Sequence, residues 1–144
     1  MASAELDNLA RIGKLKREPA AAREMRGLRE SARARLADAA RDDLSFDGRF
    51  DLAYNAVHAL ALCALRRLGY RSDNRYLVFQ ALPHTTGLPP ELWRVLAKAH
   101  ERRNLSEYEG HLEHDQNLLH ALIDAARRLL DVVETLPPPG EASW

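Results

Sequence analysis

The sequence predicts an all-α protein, an up-and-down bundle of four to five main helices. Three observations lead to this prediction. Apolar residues recur at intervals of three and four along most of the chain, which is the period of an amphipathic helix. Alanine, arginine, glutamate and leucine, all good helix formers, make up long stretches. Pro19, Gly69 and Pro89 stand between these stretches, where proline favours the first turn of a helix and glycine favours its end.

Length, charge and cysteine content limit the class of protein. A chain of 144 residues suffices for one domain. Lys plus Arg and Asp plus Glu number 21 each, so the whole molecule has no net attraction to nucleic acids or membranes, and any basic site must be local. The single cysteine, Cys63, excludes an internal disulfide and favours a reducing compartment. Because no apolar run resembles a membrane span or a signal peptide, we expect a cytoplasmic location without membrane attachment.

The chain divides into three predicted regions. Residues 1–18 form a short helix or arm, residues 19–135 form the bundle, and residues 136–144 form a disordered proline-rich tail. Within the bundle, a short apolar segment over 75–82 fits either a strand or two helical turns. The helical context favours a helix, and residues 83–87 then form a loop.

The most apolar helix is predicted over residues 49–68 and should lie at the centre. Its alanines allow a partner helix to approach closely. Ser45 or Asp47 can cap its start, and Gly69 suits its end. Cys63 on this helix is expected to be a small buried hydrophobe.

The last long helix is predicted to run from about residue 112 to 134. It follows the stretch 102–110, Arg-Arg-Asn-Leu-Ser-Glu-Tyr-Glu-Gly, which has the densest concentration of polar recognition groups in the chain. At 100° per residue, Arg103 falls in the middle of the apolar face of its own helix. An inward guanidinium needs an acidic partner, because leaving it uncompensated costs several kcal/mol. Glu107 and Asp115 are the candidate partners.

Three segments together resemble HEPN (higher eukaryotes and prokaryotes nucleotide-binding) domains. They are Phe-Asp-Gly-Arg-Phe-Asp-Leu-Ala-Tyr-Asn-Ala-Val-His at 46–58, Leu-Gly-Tyr-Arg at 68–71 and Arg-Arg-Asn-Leu-Ser-Glu-Tyr-Glu-Gly at 102–110. The resemblance covers roughly residues 20–135. It implies a HEPN-type bundle, a homodimer, binding of a nucleotide or RNA and, as for many members of that family, a nucleotidyltransferase-type protein partner.

HEPN ribonucleases and toxins carry an Arg-x4-6-His motif, often with Asn or Asp directly after the arginine. Arg103 and Asn104 match its first half. Tyr108 stands at the first position where the histidine is expected, and His111 comes one residue beyond the last. Tyrosine, with its high pKa, exchanges protons poorly near neutrality. Binding is therefore favoured over catalysis.

The favoured function is a non-catalytic HEPN-like module that binds a nucleotide, an RNA segment or a protein partner. Its candidate binding or interface residues are Arg102, Arg103, Asn104, Glu107 and Tyr108. A purely structural or interaction role is also open, in which Arg103 forms an ion pair and Tyr108 packs against a neighbouring helix.

Two further functions are weighed against this binding module. One is a metal-independent ribonuclease of the toxin–antitoxin type, with Arg103 stabilising phosphate charge and His111 acting as acid or base. The other is a metal site of His111, His114 and Asp115, with Glu113 nearby. Because the spacing is one residue short of the His-x-x-Glu-His pattern, neither a metal ion nor another cofactor is predicted.

Overall fold

A computed structural model describes residues 4–139 and is mostly helical. The elements of this range are α1 (Ala4–Arg11), β1 (Lys16–Arg17), α2 (Ala22–Ala39), α3 (Phe46–Arg67), β2 (Tyr70–Arg71), α4 (Arg75–Gln80), α5 (Leu82–Thr85), α6 (Pro90–Glu109) and α7 (Gln116–Thr135). The all-α prediction is confirmed, and α2, α3, α6 and α7 are the long helices. None of the described helices is long and apolar enough to cross a membrane.

Helix α3 lies at the centre of the fold, as predicted. It packs against α2 and α7 along its length, and α4 and α6 lie on its remaining side. The Ser45 hydroxyl accepts a hydrogen bond from the backbone N–H of Gly48 at 3.0 Å, which caps the helix start. Gly69 follows the helix with a φ of 87°, a left-handed conformation that favours glycine. Cys63 is buried on this helix, also as predicted.

The N-terminal region packs into the same core as the bundle. Leu6 of α1 and Leu15 in the following loop are buried. Strand β1 then pairs antiparallel with β2, with Lys16 opposite Arg71. This two-stranded sheet was absent from the sequence prediction, because neither strand is long enough to show an alternating pattern.

Arg66, near the end of α3, is the buried charged side chain of this region, with 1% of its surface exposed. Its guanidinium donates to the two carboxylate oxygens of Glu24 at 2.6 and 3.2 Å. It also donates to the backbone carbonyls of Glu18 at 2.7 Å, Pro19 at 3.0 Å and Tyr70 at 3.2 Å. Arg66 thereby bonds the central helix to the segment before α2 and to the strand after α3.

Two predicted boundaries in the second half of the chain are wrong. The expected loop at 83–87 contains most of α5. The last helix begins at Gln116 and not near residue 112, because Gly110 ends α6 with a φ of 69° and Asp115 caps α7 by accepting from the N–H of Leu118. Residues 111–115 therefore form a connection between the helices.

The structure describes only part of the predicted C-terminal tail. Residues 137–139 have no regular secondary structure. Residues 140–144 lie outside the described residues.

We expect Arg66→Met to lower the free energy of unfolding by about 3 kcal/mol, because it orphans three backbone carbonyls and breaks a buried ion pair. Urea denaturation measures the change. Arg33→Met is the matched control, since Arg33 is half exposed and pairs with Glu134 on the surface, so its loss should cost less than about 1 kcal/mol. Equal destabilisation by the two substitutions would contradict the role assigned to Arg66.

Candidate functional site

The five predicted binding residues divide between two faces of α6. Arg102, Asn104 and Tyr108 line an open groove of about 840 Å³ along this helix. Arg103 and Glu107 line a smaller cavity of about 340 Å³ between the end of α6 and the start of α3. A helix turns by 100° per residue, so neighbouring arginines point to different surroundings.

Arg103 leans inward but remains partly exposed, with 30% of its side-chain surface accessible. Its guanidinium carbon lies 4.8 Å from the centre of the Tyr54 ring, a cation–π contact. It pairs with Glu107 at 3.3 Å, as predicted, and lies 3.8 Å from Asp51. The alternative partner, Asp115, caps α7 instead.

Tyr54 of α3 is the buried centre of the polar contacts between α3, α4 and α6. Its ring also lies 5.6 Å from the guanidinium carbon of Arg75, and its hydroxyl oxygen lies 2.8 Å from Nδ1 of His100. Burial raises the pKa of Tyr54, while the positive charges of Arg75 and Arg103 oppose that rise. The phenol therefore stays protonated at neutral pH and keeps a hydrogen to donate.

His100 of α6 connects Tyr54 to the groove. Burial, followed by the charges of Arg103 and Arg75, lowers the pKa of His100, so its ring is neutral at neutral pH. Its Nε2 atom lies 3.1 Å from the side-chain nitrogen of Asn104. The predicted site residue Asn104 is thus linked through His100 to a buried tyrosine.

Aromatic rings form one part of the groove wall. Tyr76 of α4 meets Trp93 of α6 at a centroid distance of 5.5 Å and an interplanar angle of 61°. The side chain of Tyr76 is 40% exposed and that of Tyr108 is 90% exposed. The structural alternative in which Tyr108 packs against a neighbouring helix is therefore wrong, because this residue lies on the outer face of the last turns of α6.

A row of cations forms another part of the wall. Arg94, Lys98 and Arg102 follow one another at intervals of four residues and so lie on one face of α6. Arg102 donates to the Glu113 carboxylate. Neither Arg94 nor Lys98 has an acidic partner within residues 4–139, which leaves two positive charges beside exposed rings.

The smaller cavity contains both residues of the ribonuclease alternative, Arg103 and His111. It is also lined by the carboxylates of Asp47, Asp51 and Glu107. Three negative groups around one arginine repel an approaching phosphate. The lining of this cavity disfavours anion binding there.

The residues of the metal-site alternative do not form a ligand set, although the rings of His111 and His114 lie 6.1 Å apart. His114 stacks on Phe46 at 4.6 Å and contacts the Asp47 carboxylate at 2.8 Å, while Asp115 caps α7. Across residues 4–139, no three side chains of the His, Cys, Asp or Glu type are placed to hold a metal ion. The metal-site alternative has no support from this arrangement, because His111, His114 and Asp115 lie in the connection between α6 and α7, where they do not share a helix face.

Comparisons of this chain with protein-family models, with curated proteins and with solved structures found no match.

Six polar or aromatic groove residues were missed by the sequence reasoning. They are Tyr76, Trp93, Arg94, Lys98, His100 and Glu101. Part of the signal was present, because the cations at 94, 98 and 102 have the spacing of a single helix face. Their proximity to Tyr76 depends on how α4 packs against α6, and residue spacing within one helix does not predict it.

His58 of α3 lies below this site, with its ring edge-on to Phe79 at a centroid distance of 6.1 Å. Burial, followed by the charges of Arg75 and Arg103, lowers its pKa to about 4. In the unfolded chain the pKa of histidine is about 6.5. Between these two values the unfolded state binds a proton that the folded state does not.

We therefore expect the protein to lose stability as the pH falls from about 6.5 to about 4, partly because of His58. His58→Gln should remove on the order of 1 kcal/mol of the loss between pH 7 and pH 5, after allowing for partial solvent screening. Urea denaturation at the two pH values measures this difference. His120→Gln, at an exposed position of α7, is the control and should leave the pH dependence unchanged.

Proposed function

We propose that this chain is a non-catalytic helical module that binds a nucleotide or a single-stranded RNA segment in the groove along α6. One observation carries the proposal: Arg94 and Lys98, which lack acidic partners within residues 4–139, flank the aromatic pair of Tyr76 and Trp93. This arrangement combines charge for phosphate with ring faces for bases. Arg102, Asn104 and Tyr108 extend the same groove.

The chemistry of nucleic-acid binding supports this choice of ligand. Lysine and arginine bind phosphate oxygens and release counterions, which provides affinity without regard to base sequence. Aromatic side chains stack on unpaired bases, and each stacked base contributes about 1–3 kcal/mol. The net charge of the chain is zero, so the attraction must come from a local group of cations such as this one.

The finer family assignment belongs to the same proposal. A HEPN-type bundle, a homodimer and a nucleotidyltransferase-type partner are hypotheses that rest on the resemblance of the three sequence segments. A cytoplasmic location likewise remains a prediction. The exposed Leu105 and Tyr108 leave the outer face of α6 accessible to any of these partners.

The ribonuclease alternative is favoured by one observation. Arg103 and His111, too far apart in sequence for the HEPN motif, line the same cavity. A general acid or base must reach the proton that it transfers, and a shared cavity is compatible with that requirement. The surrounding carboxylates count against it, so binding without cleavage remains the proposed function.

We expect RNA to quench the fluorescence of Trp93. The variant Trp144→Phe makes Trp93 the only tryptophan, since the chain has two. In that background, Arg94→Glu combined with Lys98→Glu should weaken binding of a single-stranded RNA oligonucleotide about tenfold or more, because two phosphate contacts become repulsive. Titrations with a mononucleotide and an oligonucleotide distinguish the two ligand sizes.

Arg23→Glu combined with Arg26→Glu is the matched control, because it makes the same charge change at two exposed positions of α2. The control should bind RNA as tightly as the parent protein. Equal weakening by both pairs would mean that binding follows net charge alone. No response of Trp93 to any nucleotide or RNA would contradict the proposal and leave the groove as a surface for a protein partner.

We expect no cleavage when the purified protein is incubated with RNA and the products are separated on a denaturing gel. Tyr108 occupies the position where the family motif requires histidine, and carboxylates surround Arg103. Cleavage that disappears in both Arg103→Ala and His111→Ala would establish the ribonuclease function instead.

A further inference from the structure

The hydrogen bonds that lead from Tyr54 to the groove determine which group Asn104 presents there. The Tyr54 side chain is buried, with 1% of the residue's surface exposed, so its hydroxyl hydrogen needs a protein acceptor. Within residues 4–139, Nδ1 of His100 at 2.8 Å is the acceptor within reach. The hydroxyl therefore donates to Nδ1.

This bond selects one form of the His100 ring. A neutral imidazole carries a single hydrogen, on one nitrogen or the other. Because Nδ1 accepts from Tyr54, the hydrogen resides on Nε2, and Nε2 becomes a donor. Burial keeps the ring neutral by lowering its pKa, and Arg103 and Arg75 act in the same direction, whereas Glu107 opposes them.

The orientation of Asn104 follows from the form of His100. The side-chain amide of Asn104 lies 3.1 Å from Nε2, and two N–H groups cannot bond to each other. A half-turn of the amide brings its oxygen to the Nε2 hydrogen. The NH2 group of Asn104 then faces the groove as a hydrogen-bond donor.

Glu101 supplies the complementary acceptor. It lies three residues before Asn104, so both side chains project from the same side of α6 into the groove. Glu101 is exposed and has no ion-pair partner in the part of the chain that the structure describes. The groove thus offers a carboxylate and an amide NH2 about one helical turn apart, beside the ring of Tyr76, whose centroid lies 5.3 Å from that of His100.

We propose that Asn104 and Glu101 read the Watson–Crick edge of an unpaired guanine, with Tyr54 and His100 as positioning residues. Guanine presents the acceptor O6 next to two donors, N1–H and N2–H2. The Asn104 NH2 group donates to O6, and the Glu101 carboxylate accepts from both N1–H and N2–H2. Adenine has a donor where guanine has O6, so it meets the NH2 group of Asn104 with an N–H group.

The remaining groove residues fit the rest of a guanine nucleotide. Tyr76 provides a face on which the base stacks, and Trp93, whose ring lies 5.5 Å from that of Tyr76, reports on the stacked base. Arg94 and Lys98 provide charge for the phosphate. The base edge is free only in a mononucleotide or an unpaired strand, so duplex RNA is excluded as the ligand. This inference rests on the proposed nucleotide-binding function and specifies its base preference.

The first test compares nucleotides by Trp93 quenching in the Trp144→Phe protein. Guanosine monophosphate should bind about tenfold more tightly than inosine monophosphate, which lacks the N2 amine, and more tightly than adenosine monophosphate. Glu101→Ala should bring the guanosine-to-inosine ratio close to one. Glu109→Ala is the control, because Glu109 is also exposed on α6 but does not line the groove, and it should preserve the ratio.

Asn104→Asp reverses the hydrogen-bonding character at the second position. A carboxylate repels O6 and accepts from the amine of adenine, so this variant should lose affinity for guanosine and inosine monophosphates and gain relative affinity for adenosine monophosphate. Both substituted residues are exposed, so neither change should prevent folding. Equal affinities for the three nucleotides in the parent protein would overturn the guanine assignment and leave nucleotide binding intact, whereas no quenching by any of them would overturn both.

The positioning residues have a test that needs no ligand. Nitrogen NMR of the histidine rings distinguishes a hydrogen on Nε2 from one on Nδ1. His100 should carry its hydrogen on Nε2 in the parent protein and show a mixture of the two forms in Tyr54→Phe. A hydrogen on Nδ1 in the parent protein would refute the assigned orientation of Asn104, whatever the nucleotide titrations show.

Discussion

Helix α3 is buried on nearly every side, and this burial constrains each polar side chain that it carries. Its alanines bring the backbones of α2 and α7 close, which leaves little room for water around the helix. A buried polar group without a partner costs about 1–3 kcal/mol, and a buried charge costs more. Arg66, Tyr54 and His58 must therefore be satisfied by neighbouring elements or remain uncharged, and their partners determine much of the architecture.

At the C-terminal end of α3, Arg66 is the buried side chain that needs hydrogen-bond and charge partners. Its partners are a carboxylate of α2, the carbonyls of the segment that follows β1, and a carbonyl of β2. The N-terminal region is held in place because it completes the hydrogen bonding of this arginine. What looks in sequence like a separate arm thereby becomes part of the core.

In the middle of α3, Tyr54 has the corresponding role for α4 and α6. Arg75 and Arg103 lie close to its ring, and His100 accepts the hydrogen of its hydroxyl. Burial, followed by the charges of these two guanidinium groups, also lowers the pKa values of His58 and His100 and keeps both rings neutral. A requirement of the core therefore extends to the surface through His100, whose Nε2 atom lies 3.1 Å from the side-chain nitrogen of Asn104.

The outer face of α6 is different, because the core does not account for it. Arg94 and Lys98 are exposed, and Trp93 and Tyr76 keep part of their rings accessible. Trp93 also packs against the core, but stability alone would be served as well by paired charges at positions 94 and 98. Arg103, by contrast, is explained by its contacts with Tyr54 and Glu107, so the structural interpretation suits Arg103 and the binding interpretation suits the groove.

Sequence alone determined the helical class and the central position of α3. It narrowed the cap of α3 to Ser45 or Asp47 and the partner of Arg103 to Glu107 or Asp115, and the structure selects Ser45 and Glu107. These features depend on residues a few positions apart, where helical spacing fixes which side chains meet. The sequence prediction placed the start of α7 too early. The apolar period continues through residues 110–115, but Gly110 ends α6 and Asp115 caps α7.

Only the tertiary structure decided that Arg66, 42 residues from Glu24, is the buried arginine, and that Tyr76 and Trp93 share a groove. Such contacts arise when helices distant in sequence pack together. A local sequence pattern contains no information about which side chain lies opposite across the core.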